Sequence, residues 1–192
     1  NANFEIKDGS LSINSKSSGF VSIVHDPWRP VQSDGGHLGQ NPGLFDRSKL
    51  DKRLDIAVFQ THYLKENIHI SGIPTLLIAV ASDQESFDIC VALSLISEDD
   101  GPINQFTTGF LRIKKAIKDI EKDYIINLHP TNITITKGSK LRLSLSASAW
   151  PAIGVNPGHN KIRYGNTSIE HKITTLNFNL KKSIMKINPF FK

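Results

Sequence analysis

The sequence predicts an all-β domain, a β-sandwich or barrel of many short strands with one or two short helical turns. Three observations carry this. Apolar residues alternate with polar ones over many short runs, as in Leu141-Arg142-Leu143-Ser144-Leu145-Ser146. The β-branched residues Ile and Thr, stiff at χ1 and suited to a pleated surface, are prominent in those runs. Turn signals separate the runs: Asp8-Gly9, Asp34-Gly35-Gly36, Asn41-Pro42-Gly43, Asp100-Gly101-Pro102, Lys137-Gly138 and Asn156-Pro157-Gly158.

In chain order, strands are expected at 20–24, 56–59, 68–70 (closed by Ser71-Gly72), 75–81, 87–95, 110–113, 124–128, 141–146 and 175–180. The strict period of two in 141–146 predicts one buried and one wet face. Only residues 114–123, with Ile117 and Ile120 three apart, are read as a helix, one or two turns long. Residues 48–54 are expected to hold another turn. Two irregular stretches, 26–53 and 149–172, are longer than loops in a compact domain usually are, which marks them as functional or disordered.

With 192 residues, the chain is long enough for one domain with a real core. No linker, repeat or low-complexity tract divides it. The chain opens Asn1-Ala2 rather than with Met. That pair looks like the scar left when a protease removes an expression tag, although ordinary N-terminal processing would serve as well. Residues 3–192 are then the domain, expected to be a piece of a longer protein. A single cysteine, Cys90, excludes an internal disulfide framework and a cysteine-based zinc site. The longest apolar stretch, residues 73–81, holds a proline and is too short to cross a bilayer as a helix. No charged-then-apolar leader opens the chain, so the cytoplasm is the default compartment. The net charge of +5 is too mild to indicate nucleic acid by itself.

The motifs of common chemistries are missing. Gly-x-Ser-x-Gly, the strained turn that exposes a nucleophilic serine, does not occur. Neither phosphate-cradling glycine pattern occurs, and Gly35, Gly36 and Gly39 fit none of them. The seven histidines, His25, His37, His62, His69, His129, His159 and His171, have no zinc-ligand spacing and are read as exposed or singly hydrogen-bonded. Asp99-Asp100-Gly101 reads as a turn, since calcium needs six to eight oxygens. Lys114, Lys115, Lys118 and Lys122 lack interleaved aromatics and read as a solvated face. No catalytic residue, metal or cofactor is expected, and no nucleic-acid or membrane partner. Trp28 and Trp150 lie in or beside the two long loops. There they serve either a sugar or apolar ligand, or packing with neighbouring prolines.

Several collinear blocks resemble the C-terminal, non-catalytic domain of Xaa-Pro dipeptidyl-peptidases, shared with CocE/NonD (cocaine-esterase-like) serine hydrolases and α-amino-acid ester hydrolases. His25-Asp26-Pro27-Trp28-Arg29-Pro30-Val31-Gln32-Ser33-Asp34-Gly35-Gly36 resembles the family's opening Tyr-Asp-Pro-x-x-Pro-Val-Pro-x-x-Gly-Gly. The block from Asp46 through Leu50, Arg53 and Asp55 follows, then Gly72 and Pro74, then Ser82-Asp83 leading to Phe87-Asp88. Gly109-Phe110-Leu111-Arg112 matches Gly-x-Leu-Arg. Residues 138–151, with Arg142 and Trp150-Pro151, resemble the block that ends in an aromatic and proline. Departures stand at Gln32, Ser139 and Ala149.

The resemblance implies that this all-β domain is a jelly-roll β-sandwich of the galactose-binding-domain-like type, and that its parent is a serine hydrolase of peptides, esters or amides. The nucleophile, acid and base would lie in a preceding α/β-hydrolase domain of the same polypeptide, so this chain alone should be inert. It also implies that the loop after Gly35-Gly36 approaches the substrate pocket, making Leu38, Leu44 and Phe45 candidate wall residues. Asp26, Pro27, Gly35, Gly36, Arg53, Asp88, Arg112, Arg142 and Pro151 are expected to be structural. The alternative is a free-standing carbohydrate-binding module using Trp28 and Trp150.

Overall fold

The computed structural model describes residues 2–7, 9–12, 16–36, 41, 43–161, 164–165, 169–187 and 189–190. Its strands are β1 (Ala2–Lys7), β2 (Ser10–Ser12), β3 (Phe20–His25), β4 (Phe45–Asp46), β5 (Ala57–Gln60), β6 (Ile68–Gly72), β7 (Thr75–Ser82), β8 (Phe87–Ile96), β9 (Ile103–Ile113), β10 (Lys122–Asn127), β11 (Thr131–Ile135), β12 (Lys140–Ser146), β13 (Thr174–Ile187) and β14 (Pro189–Phe190). The pairing path runs β10-β7-β13-β1-β2-β5-β12-β8-β9-β4, with β3 also on β13, and β11-β6-β14 forms a smaller sheet. One layer holds β3, β13, β7 and β10, and the other holds β5, β12, β8 and β9. Side chains from both meet in one cluster that includes Ile78, Phe178 and Leu180 from the first and Phe59, Leu93 and Leu143 from the second.

Nearly every residue of β8 is buried, on both faces of the strand. Phe87, Ile89, Val91 and Leu93 enter the inter-sheet core. Asp88, Cys90, Ala92 and Ser94 face the other way and are buried too. The same holds for β12, whose Ser144 and Ser146 are buried. The face expected to be wet is therefore covered, because residues of the long loops, among them Val31, Asp34, Asp51 and Asn156, fold back over it and bond to the sheet or its flank.

The expected helix over residues 114–123 does not form. Lys115 and Asp119 take φ of 57° and 59°, a left-handed conformation that interrupts helical hydrogen bonding. Ile117 and Ile120 stay exposed, and Lys122 already belongs to β10. A 3-10 turn does occupy Leu50–Lys52, inside the 48–54 window. Ser71-Gly72 ends inside β6 rather than closing it, β9 begins at Ile103, and β13 runs on to Ile187 past a bulge between Asn179 and Ile184. The strands β1, β2, β4, β11 and β14 were not expected from the sequence.

Removing a core side chain from this packing is predicted to cost about 2–5 kcal/mol for Leu143→Ala, through lost burial and a residual cavity. The exposed Ile117→Ala is predicted to stay within about 0.5 kcal/mol. Urea unfolding midpoints of the two variants check the contrast.

Candidate functional site

Two buried carboxylates bind the long loops to the sheet. Asp51, at the 3-10 turn, accepts a hydrogen bond from Arg47 Nε at 3.0 Å and from Ser144 Oγ of β12 at 2.8 Å. Arg142 Nη1 of β12 stands 3.4 Å from the same carboxylate, and its Nη2 donates to Gln60 of β5 at 3.1 Å. Arg47 also donates to Gln105 Oε1 of β9 at 2.8 Å, and Gln105 Nε2 donates to the Asp34 carbonyl at 3.2 Å. Burial pulls the Arg47 guanidinium's pKa down, and the Asp51 carboxylate pulls it back up.

The second anchor is Asp88 on β8. Arg112, directly opposite on β9, donates to both its oxygens at 2.9 and 2.7 Å, and Asn156 Nδ2 donates at 2.7 Å. Burial raises the Asp88 carboxyl's pKa, while the bonds from Arg112 and Asn156 favour its anion. Arg112 donates onward to the Gly154 carbonyl and lies 4.0 Å from the Tyr164 ring centre. One guanidinium thus joins the sheet to Gly154 and Tyr164.

These anchors position two surface features. The first is the 35–45 loop. Gly36 and Gly43 exchange backbone hydrogen bonds at 2.7 and 3.2 Å. Gly35 has φ +66°, and a Cβ there would meet Phe45 Cβ at 2.5 Å and the Gly43 carbonyl at 2.8 Å, so only glycine lets the loop close. Leu44 projects from this loop, 70% exposed, and Phe45 is half-buried in β4. Leu38 lies outside the described residues.

The second is a shallow groove walled by Val24, Trp28, Pro30, Leu54 and Trp150, with Gln32, Arg53 and Asp55 along it. Trp28 and Trp150 are 56% and 47% exposed, and Leu54 is 99% exposed. The Trp28 turn is held by Asp26, whose side chain accepts from the Trp28 amide at 3.0 Å and whose carbonyl accepts from the Arg29 amide at 3.0 Å, with Pro27 buried beside it. Arg53 grips Asp55 through Nε and Nη2 at 2.8 and 2.7 Å and donates to the Arg29 carbonyl at 2.6 Å. Across the groove, Gln32 bridges to Trp150, the Ser33 amide donates to the Trp150 carbonyl at 2.7 Å, and Pro151 follows through a cis bond.

Asp88 and Arg112 are thus brought together. Arg142 goes instead to Asp51, and Arg53 to Asp55. Leu44 and Phe45 do not line the tryptophan groove. Sequence reasoning missed Arg47, Asp51, Gln105, Asn156 and Leu54. It also misread two histidines: His25 and His171 are buried, and neither ring nitrogen of His25 nor Nε2 of His171 has a hydrogen-bond partner. The four-residue spacing of Arg47 and Asp51 around a turn was the one available signal for the first anchor. Among the described residues, no three His, Cys, Asp or Glu side chains converge as a metal-ligand set.

Asp51→Ala would leave Arg47 and Arg142 facing each other without a counter-charge. It is predicted to cost about 3–5 kcal/mol, against about 1 kcal/mol or less for Asp55→Ala beside the more exposed Arg53. Denaturant titration of both variants measures the difference.

The fold recurs in larger hydrolases. The chain is similar to an aminopeptidase from the marine sediment archaeon Thaumarchaeota archaeon, with a TM-score of 0.84 and 17% identity, covering 98% of this chain and 36% of that one. It is similar to an α-amino acid ester hydrolase, with a TM-score of 0.83, 17% identity, and the same 98% and 36% coverage. A CocE/NonD family hydrolase from Staphylococcus aureus gives a TM-score of 0.66 at 14% identity, over 100% of this chain and 36% of that one. At such identities the likeness is one of fold, and the chain spans 36% of the length of these proteins. No curated protein matches it in sequence. Residues 5–183 do match the X-Pro dipeptidyl-peptidase C-terminal non-catalytic domain, and the chain belongs to that family.

Proposed function

We propose that this chain is the non-catalytic domain of a serine hydrolase of peptides, esters or amides. It docks on an α/β-hydrolase catalytic domain of the same polypeptide through the groove at Trp28, Leu54 and Trp150. The observation that carries this reading is the exposure of two indoles and a leucine around one groove in a domain of this non-catalytic family. An indole presents roughly 200 Å² of surface, so covering the exposed halves of two yields about 5 kcal/mol at about 25 cal/mol per Å². A partner presenting apolar side chains, with hydrogen-bonding groups for the Arg53–Asp55 rim, fits such a surface. The relatives of known structure are nearly three times as long as this chain, which leaves room for the partner within one polypeptide.

In the same reading the 35–45 loop borders the substrate pocket, with Leu38, Leu44 and Phe45 as wall residues. The exposed Leu44 and the glycine-closed loop support this role. Such a wall acts on acyl-group preference through buried apolar area and performs no bond-breaking step.

In the parent polypeptide, Trp28→Ala with Leu54→Ser is expected to split one cooperative thermal transition into two by calorimetry. A single unchanged transition would rule out the docking surface. Phe45→Ala is expected to lower kcat/KM for bulky acyl groups about tenfold relative to small ones, equivalent to about 1.4 kcal/mol of lost apolar contact. An unchanged specificity profile removes the pocket role. The two indoles on one groove also favour a second reading, a carbohydrate-binding module. Saturable glycan binding by the isolated chain, lost in Trp28→Ala, would establish that reading instead.

A further inference from the structure

The turn that carries Trp28 rests on a pair of buried histidines. His25, the last residue of β3, is 3% exposed and pairs across the ladder with Thr174. Its Nδ1 and Nε2 both lack a partner, as does Nε2 of the neighbouring His171. The Trp28 ring covers His171 with a centroid separation of 5.8 Å. The charged and titratable groups around His25 are Asp55 and Arg53 after the 3-10 turn, Asp26 on the Trp28 turn, and His171 before β13. Both carboxylates already have partners: Asp55 holds Arg53, and Asp26 accepts from the Trp28 amide.

A buried imidazole without partners is tolerated as an apolar ring only while it is neutral. A proton makes it a cation with two N–H donors and no acceptor in place. The element that can yield is the turn above it. Desolvation brings the His25 pKa down from 6.5 to about 4, against the upward pull of Asp55 and Asp26. Because the closed form binds the proton more weakly than an opened one, its stability is complete above pH 6.5. It is lost progressively as the pH falls from 6.5 toward 4.

We propose that His25, backed by His171, is an acid-opened latch: protonation of His25 releases the Trp28 turn from the sheet and takes down one wall of the tryptophan groove. The opening rests on the buried, unpartnered ring nitrogens and does not depend on the function proposed above. Its consequence, acid release of a docked catalytic domain, rests on the function proposed above.

The test uses the 192-residue chain. NMR titration of the His25 ring should give a midpoint well below 6.5, lying above 4 to the extent that the opened form takes up the proton, and a midpoint near 6.5 overturns the latch. The Arg29 amide bonds the Asp26 carbonyl, and the Val31 amide bonds Ser148 Oγ. Their hydrogen-exchange protection, corrected for intrinsic rates, should fall about 20-fold from pH 7 to pH 5 while the amides of β12 hold. His25→Phe, which keeps the ring but cannot charge, should remove that dependence, and His25→Gln serves if the Phe variant fails to fold. Unchanged protection in the native chain, or the same fall in the uncharged variant, overturns the proposal. Opening seen in the chain without release of the catalytic domain in the parent protein at pH 5 would uphold the latch and fault the docking surface.

Discussion

Two buried carboxylates determine what the surface of this domain looks like. A sandwich sheet ordinarily buries one face and wets the other, and here the second face of β8 and β12 is covered by largely irregular chain that includes the Leu50–Lys52 turn. Such a cover must find partners for its own polar groups and for those of the sheet beneath. Asp51 and Asp88 meet that need by collecting donors from strand and loop together: Ser144, Arg142 and Arg47 on one, Arg112 and Asn156 on the other. Gln105, held by Arg47, extends the first anchor to the Asp34 carbonyl, and the Val31 amide adds a separate tie to Ser148. The groove and the 35–45 loop both hang on that frame.

The register of β8 against β9 makes the Asp88 anchor possible. Near the hairpin end, Ile96 faces Ile103 and Ser94 faces Gln105. A bulge between Leu93 and Ser94 then shifts the pairing by one residue, which places Arg112 opposite Asp88. Had the first register run on, Asp88 would have faced Leu111, a half-buried apolar side chain packed on the core. A one-residue slip reverses faces along a strand, so the bulge decides whether this buried carboxylate meets a cation or an alkyl group.

This explains which parts of the molecule were legible in the sequence. Strand existence was legible wherever alternation ran for several residues, as in 87–95 and 141–146. The covering of their polar faces was not, because the residues that bury Ser144 lie about ninety positions away at Asp51. The collinear family blocks marked Asp88, Arg112 and Arg142, but spacing alone paired none of them, since bulge and loop path decide the partners. The segment at 114–123 misled for the opposite reason. Its composition suits a helix, and two backbone dihedrals at Lys115 and Asp119 override it. The exposure of Trp28 and the burial of His25 were equally hidden, since both depend on how one turn lies over β13.

Burying charge in this way is a poor route to stability for its own sake. Apolar residues of equal volume often stabilise as well or better, because desolvating an ion pair offsets most of its attraction. What apolar contact cannot supply is direction. It would hold the loop residues around Asp51 and Asn156 against the sheet in many placements of similar energy. A bidentate guanidinium on a fixed carboxylate accepts one placement within a fraction of an ångström. A surface formed by loops can associate without a large ordering cost only if those loops are already in place. Directional anchoring therefore converts irregular chain into a fixed surface, and it sets Trp28 and Trp150 across a single groove before any partner arrives.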